Sequence, residues 1–191
     1  MEKRELIDRQ PNKCVYATDE AMLRIGEFTG EYAAMCNTMH CFLMKGMTEM
    51  EVTCNFVGQV SETEFSFLKV LELPMTLTVV EGGEQPSYAY YLGDVPVTRS
   101  ALLEGTVIEE ALLNMEDTGR YVWDILFDYF ARYGIALGQI DLRFGHVAEH
   151  FLVMCGDLTP ETMHLYDAAA GKRLWSGEPD GYEIILARLS A

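Results

Sequence analysis

An α+β architecture is what this sequence predicts, and three observations predict it. Short strand-like runs fill the first half, a long amphipathic helical stretch follows at residues 107–133, and a β-hairpin pattern closes the region 135–155. With 191 residues, 49% of them hydrophobic, the chain can bury a substantial core as one compact unit or as two lobes sharing a cleft.

In chain order, residues 13–18 and 21–28 read as a hairpin across Asp19-Glu20. Residues 31–45 read as a helix with Met35, Met39, Phe42 and Leu43 inward, stopped by Gly46. Strands are expected at 52–60, 64–72 and 75–80. The Gly82-Gly83-Glu84-Gln85-Pro86 stretch is the clearest loop, dividing a mainly β N-terminal lobe, 1–81, from an α+β C-terminal lobe, 82–191. Tyr88, Tyr90 and Tyr91 fit a half-buried strand as well as a base-stacking platform. Along 107–133, Val122, Ile125, Leu126, Tyr129, Phe130 and Tyr133 form one apolar stripe, with Gly119 a candidate break. Residues 135–144 and 150–155 pair as the hairpin, and 181–189 make a short terminal helix.

Charge and composition exclude several classes. The formal charge is -16 and no lysine or arginine cluster occurs, so neither nucleic acid nor an anionic membrane is an expected partner. The charged start Met1-Glu-Lys-Arg-Glu5 lacks an apolar region after it, and no apolar run reaches spanning length; a cytoplasmic location is expected. Five cysteines without a C-x-x-C pair read as reduced, mostly buried thiols. His146, Glu149 and His150 have helical zinc spacing but fall in a hairpin turn, which favours surface histidines over a metal site. His40 adjoins Cys41, and adjacent helical side chains diverge, so a buried thiol beside a capping or surface histidine is expected. Met35, Met39, Met44 and Met47 read as core filler.

The best site candidate is Asp157. It follows the apolar run Phe151-Leu-Val-Met-Cys155 and sits beside Gly156, so its carboxylate emerges at a strand end, where metal and phosphate ligands are commonly placed; aspartate in turns for conformational reasons is the plain alternative. Around it run Gly134-Ile-Ala-Leu-Gly-Gln-Ile-Asp-Leu-Arg-Phe-Gly145, then Gly156-Asp-Leu-Thr-Pro-Glu161, then His164-Leu-Tyr-Asp167.

The order and spacing of these pieces resemble the SAICAR synthetase family, ATP-dependent ligases of purine synthesis that join aspartate to an aminoimidazole carboxylate. The family pattern is Gly-Leu-x-Leu-x-Asp-Phe-Lys-x-Glu-Phe-Gly, then Gly-Asp-Glu-x-Ser-Pro-Asp, then Arg-Leu-Trp-Asp. Weaker echoes lie in Ile7-Asp-Arg-Gln-Pro-Asn-Lys-Cys-Val-Tyr16, similar to a glycine-rich phosphate cover, and in Phe65-Ser-Phe-Leu-Lys-Val-Leu-Glu-Leu-Pro74, similar to a lysine-bearing strand and adenine hinge. The resemblance implies a two-lobed fold, an antiparallel N-terminal sheet and a helix-plus-hairpin C-terminal lobe, with a nucleotide-type cleft between them. It implies ATP as cofactor, with Lys13 and Lys69 on the phosphates, Glu72 and Leu73 offering hinge backbone to the adenine, and Asp157 on magnesium.

Departures from the pattern limit what is inherited. Of the family's two magnesium carboxylates the second is kept as Asp157 and the first is replaced by Arg143, whose permanent charge should repel the metal and pair with Asp157 instead. Gln10 and Pro11 stand where the phosphate cover has a glycine and a lysine, which degrades it. Thr76 and Val80 replace a glutamate and an arginine, and Glu81-Gly-Gly-Glu84 stands where the family has a basic substrate loop. The chain is also shorter than the family's usual length. Two function classes follow: a shortened carboxylate–amine ligase with altered or lost activity, for which no catalytic residue is assigned, or a non-catalytic descendant used for nucleotide sensing or protein contact. The expected partner is a nucleotide or small molecule, and a homo-oligomer is compatible with the sequence.

Overall fold

In the computed structural model, which describes residues 1–71, 75–83, 85–105, 107–148, 151–175 and 179–190, strand alternation builds two antiparallel sheets. The first contains β1 (Lys3–Arg9), β2 (Lys13–Thr18), β3 (Leu23–Phe28), β4 (Phe56–Gln59) and β5 (Glu64–Leu68), in the order β1-β2-β3-β5-β4. Helix α1 (Ala33–Glu49) is inserted between β3 and β4. Residues directly opposite in an antiparallel pair share a face. The registers Val15 with Gly26, Ala17 with Arg24, Gly26 with Phe65 and Arg24 with Phe67 therefore put Lys13, Val15, Arg24, Phe65 and Phe67 on one side.

The second sheet holds β6 (Met75–Val80), β7 (Ser87–Leu92), β8 (Val95–Val97), β9 (Ile135–Ala148), β10 (Phe151–Cys155) and β11 (Met163–Asp167). β9 is its spine. β6 lies along one edge, while β10 and β11 share the other, β11 against residues 135–140 and β10 against 143–148. Leu77, Val79, Ile140, Leu142 and Phe144 face one way and bury against Leu112, Met115, Val122, Leu126 and Phe130 of α3 (Glu109–Ala131), forming the main core. α2 (Arg99–Gly105) leads into α3, and α4 (Pro179–Leu189) closes the chain. Tyr182 of α4 is fully buried with Phe28, Cys36 and Phe65, and Cys36 Sγ donates to its hydroxyl at 3.3 Å.

The sheets are stitched together by backbone. Asn55 N–H donates to Met154 C=O at 3.0 Å, Met154 N–H to Thr53 C=O at 3.0 Å, and Leu71 N–H to His146 C=O at 2.7 Å.

The structure agrees with the α+β reading and revises several elements. The chain passes from the first sheet to the second between residues 68 and 75, upstream of the loop at 82–86, because β6 pairs with β7 and β9. Helix α1 runs through Gly46 and ends where Glu51 takes a left-handed φ of 63°; its buried stripe follows Cys36, His40, Leu43, Met44 and Met47, which leaves Phe42 facing outward, 56% exposed. Gly119 does not break α3. A Cβ there would lie 2.5 Å from Leu77 Cδ2, so the glycine lets the helix seat on β6. β5 ends at Leu68, leaving Lys69 beyond the strand.

Candidate functional site

Lys13 opens β2 on the cleft-facing side, with only 6% of its surface exposed, and its ammonium pairs with Asp157 Oδ2. Asp157 comes two residues after β10, where Gly156 turns the chain with a φ of 103°. Burial pushes the Asp157 carboxyl up, but the attraction of Lys13 outweighs it, with a smaller contribution from Arg143, and holds the group below the usual carboxylate range. Arg143 lies opposite Cys155 in the β9–β10 register. Its aliphatic stem covers Gly156, where a Cβ would come within 3.2–3.4 Å of Arg143 Cβ, Cγ and Cδ. The expectation that Arg143 pairs with Asp157 is thus corrected in its partner: the buried ion pair goes to Lys13, and Arg143 acts on the carboxylate at longer range.

His40, expected at a cap or on the surface, is 1% exposed and holds the same turn from behind. Its Nδ1 accepts the Leu158 N–H at 3.1 Å, which places the proton of the neutral ring on Nε2. Burial lowers its pKa to about 4, so the ring is neutral at ordinary pH. Around it pack Phe65, ring centroids 4.3 Å apart, and Phe56 at 5.6 Å. Adjacency to Cys41 carried no information; what matters is that positions 36, 40 and 44 share the buried stripe.

These groups line a cavity of about 390 Å³ between the sheets and α1. Its cationic lining is Lys13, Arg24, Lys69 and Arg143, its carboxylates are Asp8 and Asp157, and Val15, Met44, Phe67 and Val70 give it apolar walls. Lys13, Lys69 and Asp157 therefore line one cavity. Glu72 and Leu73 lie outside the described residues, as do Glu149 and His150 of the zinc-like spacing. At the hinge, the Leu71 N–H is already used by the His146 carbonyl. Arg24 was missed by sequence reasoning, yet the hairpin register would have found it, since Ala17 opposite Arg24 sets that side chain on the same face as Lys13.

A second cavity, about 450 Å³, adjoins the first across Gln10, Arg143 and Asp157, which line both. Thr76, Thr78 and Asp141 project into it from the solvent-side face of the second sheet, joined by Asp94 and Glu161. Asp141 Oδ1 accepts from the Thr78 hydroxyl at 2.7 Å, and Glu161 Oε2 accepts from Asn12 Nδ2 at 2.9 Å. Arg143 is the one cation among its lining residues.

The donor set does not fit magnesium. The carboxylate at 157 is engaged by an ammonium and flanked by a guanidinium, neither of which can ligate a cation. Among the described residues no three His, Cys, Asp or Glu side chains converge as a metal site. The first cavity does fit an anionic ligand with a planar apolar part, given its cations and its phenylalanine, valine and methionine walls.

No family model matches the chain. Over 234 aligned positions it is 28% identical to the phosphoribosylaminoimidazole-succinocarboxamide synthase of Halalkalibacterium halodurans, covering 99% of this chain and 98% of that protein. It is 24% identical to the synthase of the same name from Bacillus cereus, with the same coverage. Both alignments are longer than the 191 residues present here, so those relatives carry segments without a counterpart. Among solved structures, the synthase of Ehrlichia chaffeensis superposes with a TM-score of 0.87 at 20% identity over 98% of this chain and 99% of that one. A type-2 SAICAR synthetase in complex with ADP superposes with a TM-score of 0.86 at 19% identity, over 97% of each chain.

Proposed function

We propose that the chain is a shortened, divergent member of the SAICAR synthetase family that holds a nucleotide between its two sheets and in which the family's ligation is altered or lost. The observation that carries this reading is the gathering of Lys13, Arg24, Lys69 and Arg143 around one cavity in a chain of net charge -16. Placing four cations together against that background makes the cavity a local anion site. The ADP held by the type-2 relative supports a nucleotide as the anion. Of this chain's groups, Lys13, Lys69 and Arg143 would meet its phosphates.

The second cavity supports a change in the reaction. An aminoimidazole substrate bearing phosphate and carboxylate, or aspartate itself, would there face Asp94, Asp141 and Glu161 with Arg143 as counter-charge. That inversion of sign favours the non-ligating reading, nucleotide sensing or subunit contact, over an unchanged enzyme.

Two measurements test the proposal on the whole chain. Saturating ADP or ATP should raise the melting temperature by about 5–10 °C at about 100 times Kd, from roughly 2.7 kcal/mol of linkage at roughly 2–4 °C per kcal/mol. ATP-dependent joining of the aminoimidazole carboxylate to aspartate should be undetectable or far below that of a full-length relative. Ligation at an ordinary rate would refute the altered activity, and an unmoved melting temperature with every nucleotide would refute the binding.

A further inference from the structure

We infer that the cleft takes its phosphate-bearing ligand as a free anion, with the cations of the chain itself, foremost Lys13 and Arg143, in the electrostatic role that a divalent ion would otherwise fill. This rests on the nucleotide reading above and fixes the form in which the ligand enters.

The first support is the state of Asp157. Its Oδ2 is occupied by an ammonium whose side chain is 8% exposed, and its Oδ1 is buried without a hydrogen-bond partner, so a divalent ion on the remaining oxygen would lie beside a buried positive charge and near Arg143. Both cations would repel it there, and displacing Lys13 instead would leave a buried, unpaired ammonium beside a like charge. The carboxylate thus serves to anchor Lys13, and neighbouring positive charge opposes a metal at its free oxygen.

The second support is independent of Asp157. Among the described residues, Lys3, Lys13, Lys45, Arg99, Arg120 and Arg188 each have a carboxylate partner, whereas Arg4, Arg9, Arg24, Lys69, Arg132, Arg143, Lys172 and Arg173 have none. Three of these, Arg24, Lys69 and Arg143, gather around the same cavity. Arg24 spends Nη1 on the Ala21 and Leu23 carbonyls at 3.0 and 2.7 Å, which orients the guanidinium without neutralising it. Three uncompensated cations in so acidic a chain complement a nucleoside diphosphate that has shed its metal. They match its metal complex less well, because the metal cancels most of the charge they would meet.

The test is calorimetric titration of the intact protein with ADP, once in chelator and once in excess magnesium. Binding should appear in chelator and weaken several-fold in magnesium, as the free nucleotide is drawn into its complex. Binding that tightens with magnesium, or needs it, overturns the inference and leaves the nucleotide reading standing; absence of binding in both conditions overturns that reading as well. Arg143→Met and Lys69→Met, at exposed positions, should each weaken chelator-phase binding by about 10- to 150-fold, the range for one lost charge-assisted contact. Arg143→Glu should lose chelator-phase binding and gain a magnesium requirement. Unchanged affinity in all three variants, with melting curves confirming the fold, would also overturn the inference.

Discussion

Replacing Lys13 by methionine probes the centre of the site directly. The side chain of Lys13 is 8% exposed and that of Asp157 18%, so the pair is shielded from solvent and its loss is not discounted as a surface bridge would be. Methionine refills the volume of the stem but leaves Asp157 as an uncompensated buried charge, at a cost of about 3–5 kcal/mol. At roughly 2–4 °C per kcal/mol for a chain of this size, the melting temperature should fall by about 6–20 °C. Adding Asp157→Asn removes the stranded charge, so the double variant should recover most of the loss. A double-mutant cycle by urea denaturation reads the coupling. The pH dependence adds a second arm. In the native chain the carboxyl is held low, so the stabilisation is complete above the ordinary carboxylate value and is lost only as pH falls through the depressed one. In Lys13→Met the largest opposing attraction is gone, so burial pushes the carboxyl up against only the weaker pull of the remaining cations and lets Asp157 take a proton earlier; the deficit of the variant should therefore be smaller at about pH 5 than at about pH 8. Additive single-mutant losses, or a deficit independent of pH, would refute the account of a mutually dependent buried pair.

Other outcomes follow from the same geometry. His40 has a depressed pKa of about 4 against 6.5 for an ordinary histidine, so the unfolded chain binds the extra proton and stability should fall as pH drops from 6.5 toward 4, with a limiting slope of about 1.4 kcal/mol per pH unit. His40→Gln should flatten that slope in urea titrations at stepped pH, and an unaltered slope would assign it elsewhere. Gly119→Ala should destabilise by about 1 kcal/mol or more, because overpacking against fully buried Leu77 exceeds the roughly 1 kcal/mol gain in helix propensity; a raised melting temperature would contradict the close approach. Phe42→Ser should leave stability within about 0.5 kcal/mol, as its outward position requires, and a large loss in thermal melts would return it to the core.

What the sequence disclosed depended on whether burial was written into its periodicity. The hairpin of β2 and β3, the long helix α3 and the pairing of β9 with β10 were legible because each carries an alternating or helical apolar pattern. β1 was not, since all seven of its residues are exposed; it is held by the register with β2 and by Lys3, whose ammonium reaches Glu27 at 2.7 Å and Glu64 at 2.8 Å. The glycines misled in opposite directions. Gly46 and Gly119 both looked like breaks, and both lie inside helices, one tolerated and one required for packing. At the site, the resemblance singled out Lys13 and Asp157 and gave them separate tasks, whereas the structure pairs them at one cavity. Their pairing spans 144 positions of sequence, and no local pattern encodes it. His40 was noticed but read as a cap or surface residue, because a histidine on a buried stripe reads the same whether it caps, ligates or, as here, accepts a backbone N–H from a distant turn.

The backbone bonds that join Asn55 to Met154, Thr53 to Met154 and Leu71 to His146 have a kinetic corollary. Jaw-like opening of the cleft would have to break that seam, so the gap keeps a fixed width while ligands come and go. Admission and release are then governed by rotation of the long side chains at the mouth, Lys69 and Arg143, a matter of nanoseconds where domain swinging would take microseconds to milliseconds. A receptor of this build meets its ligand ready-formed, and its association rate should respond to ionic strength far more than to solvent viscosity or to any slow breathing of the scaffold.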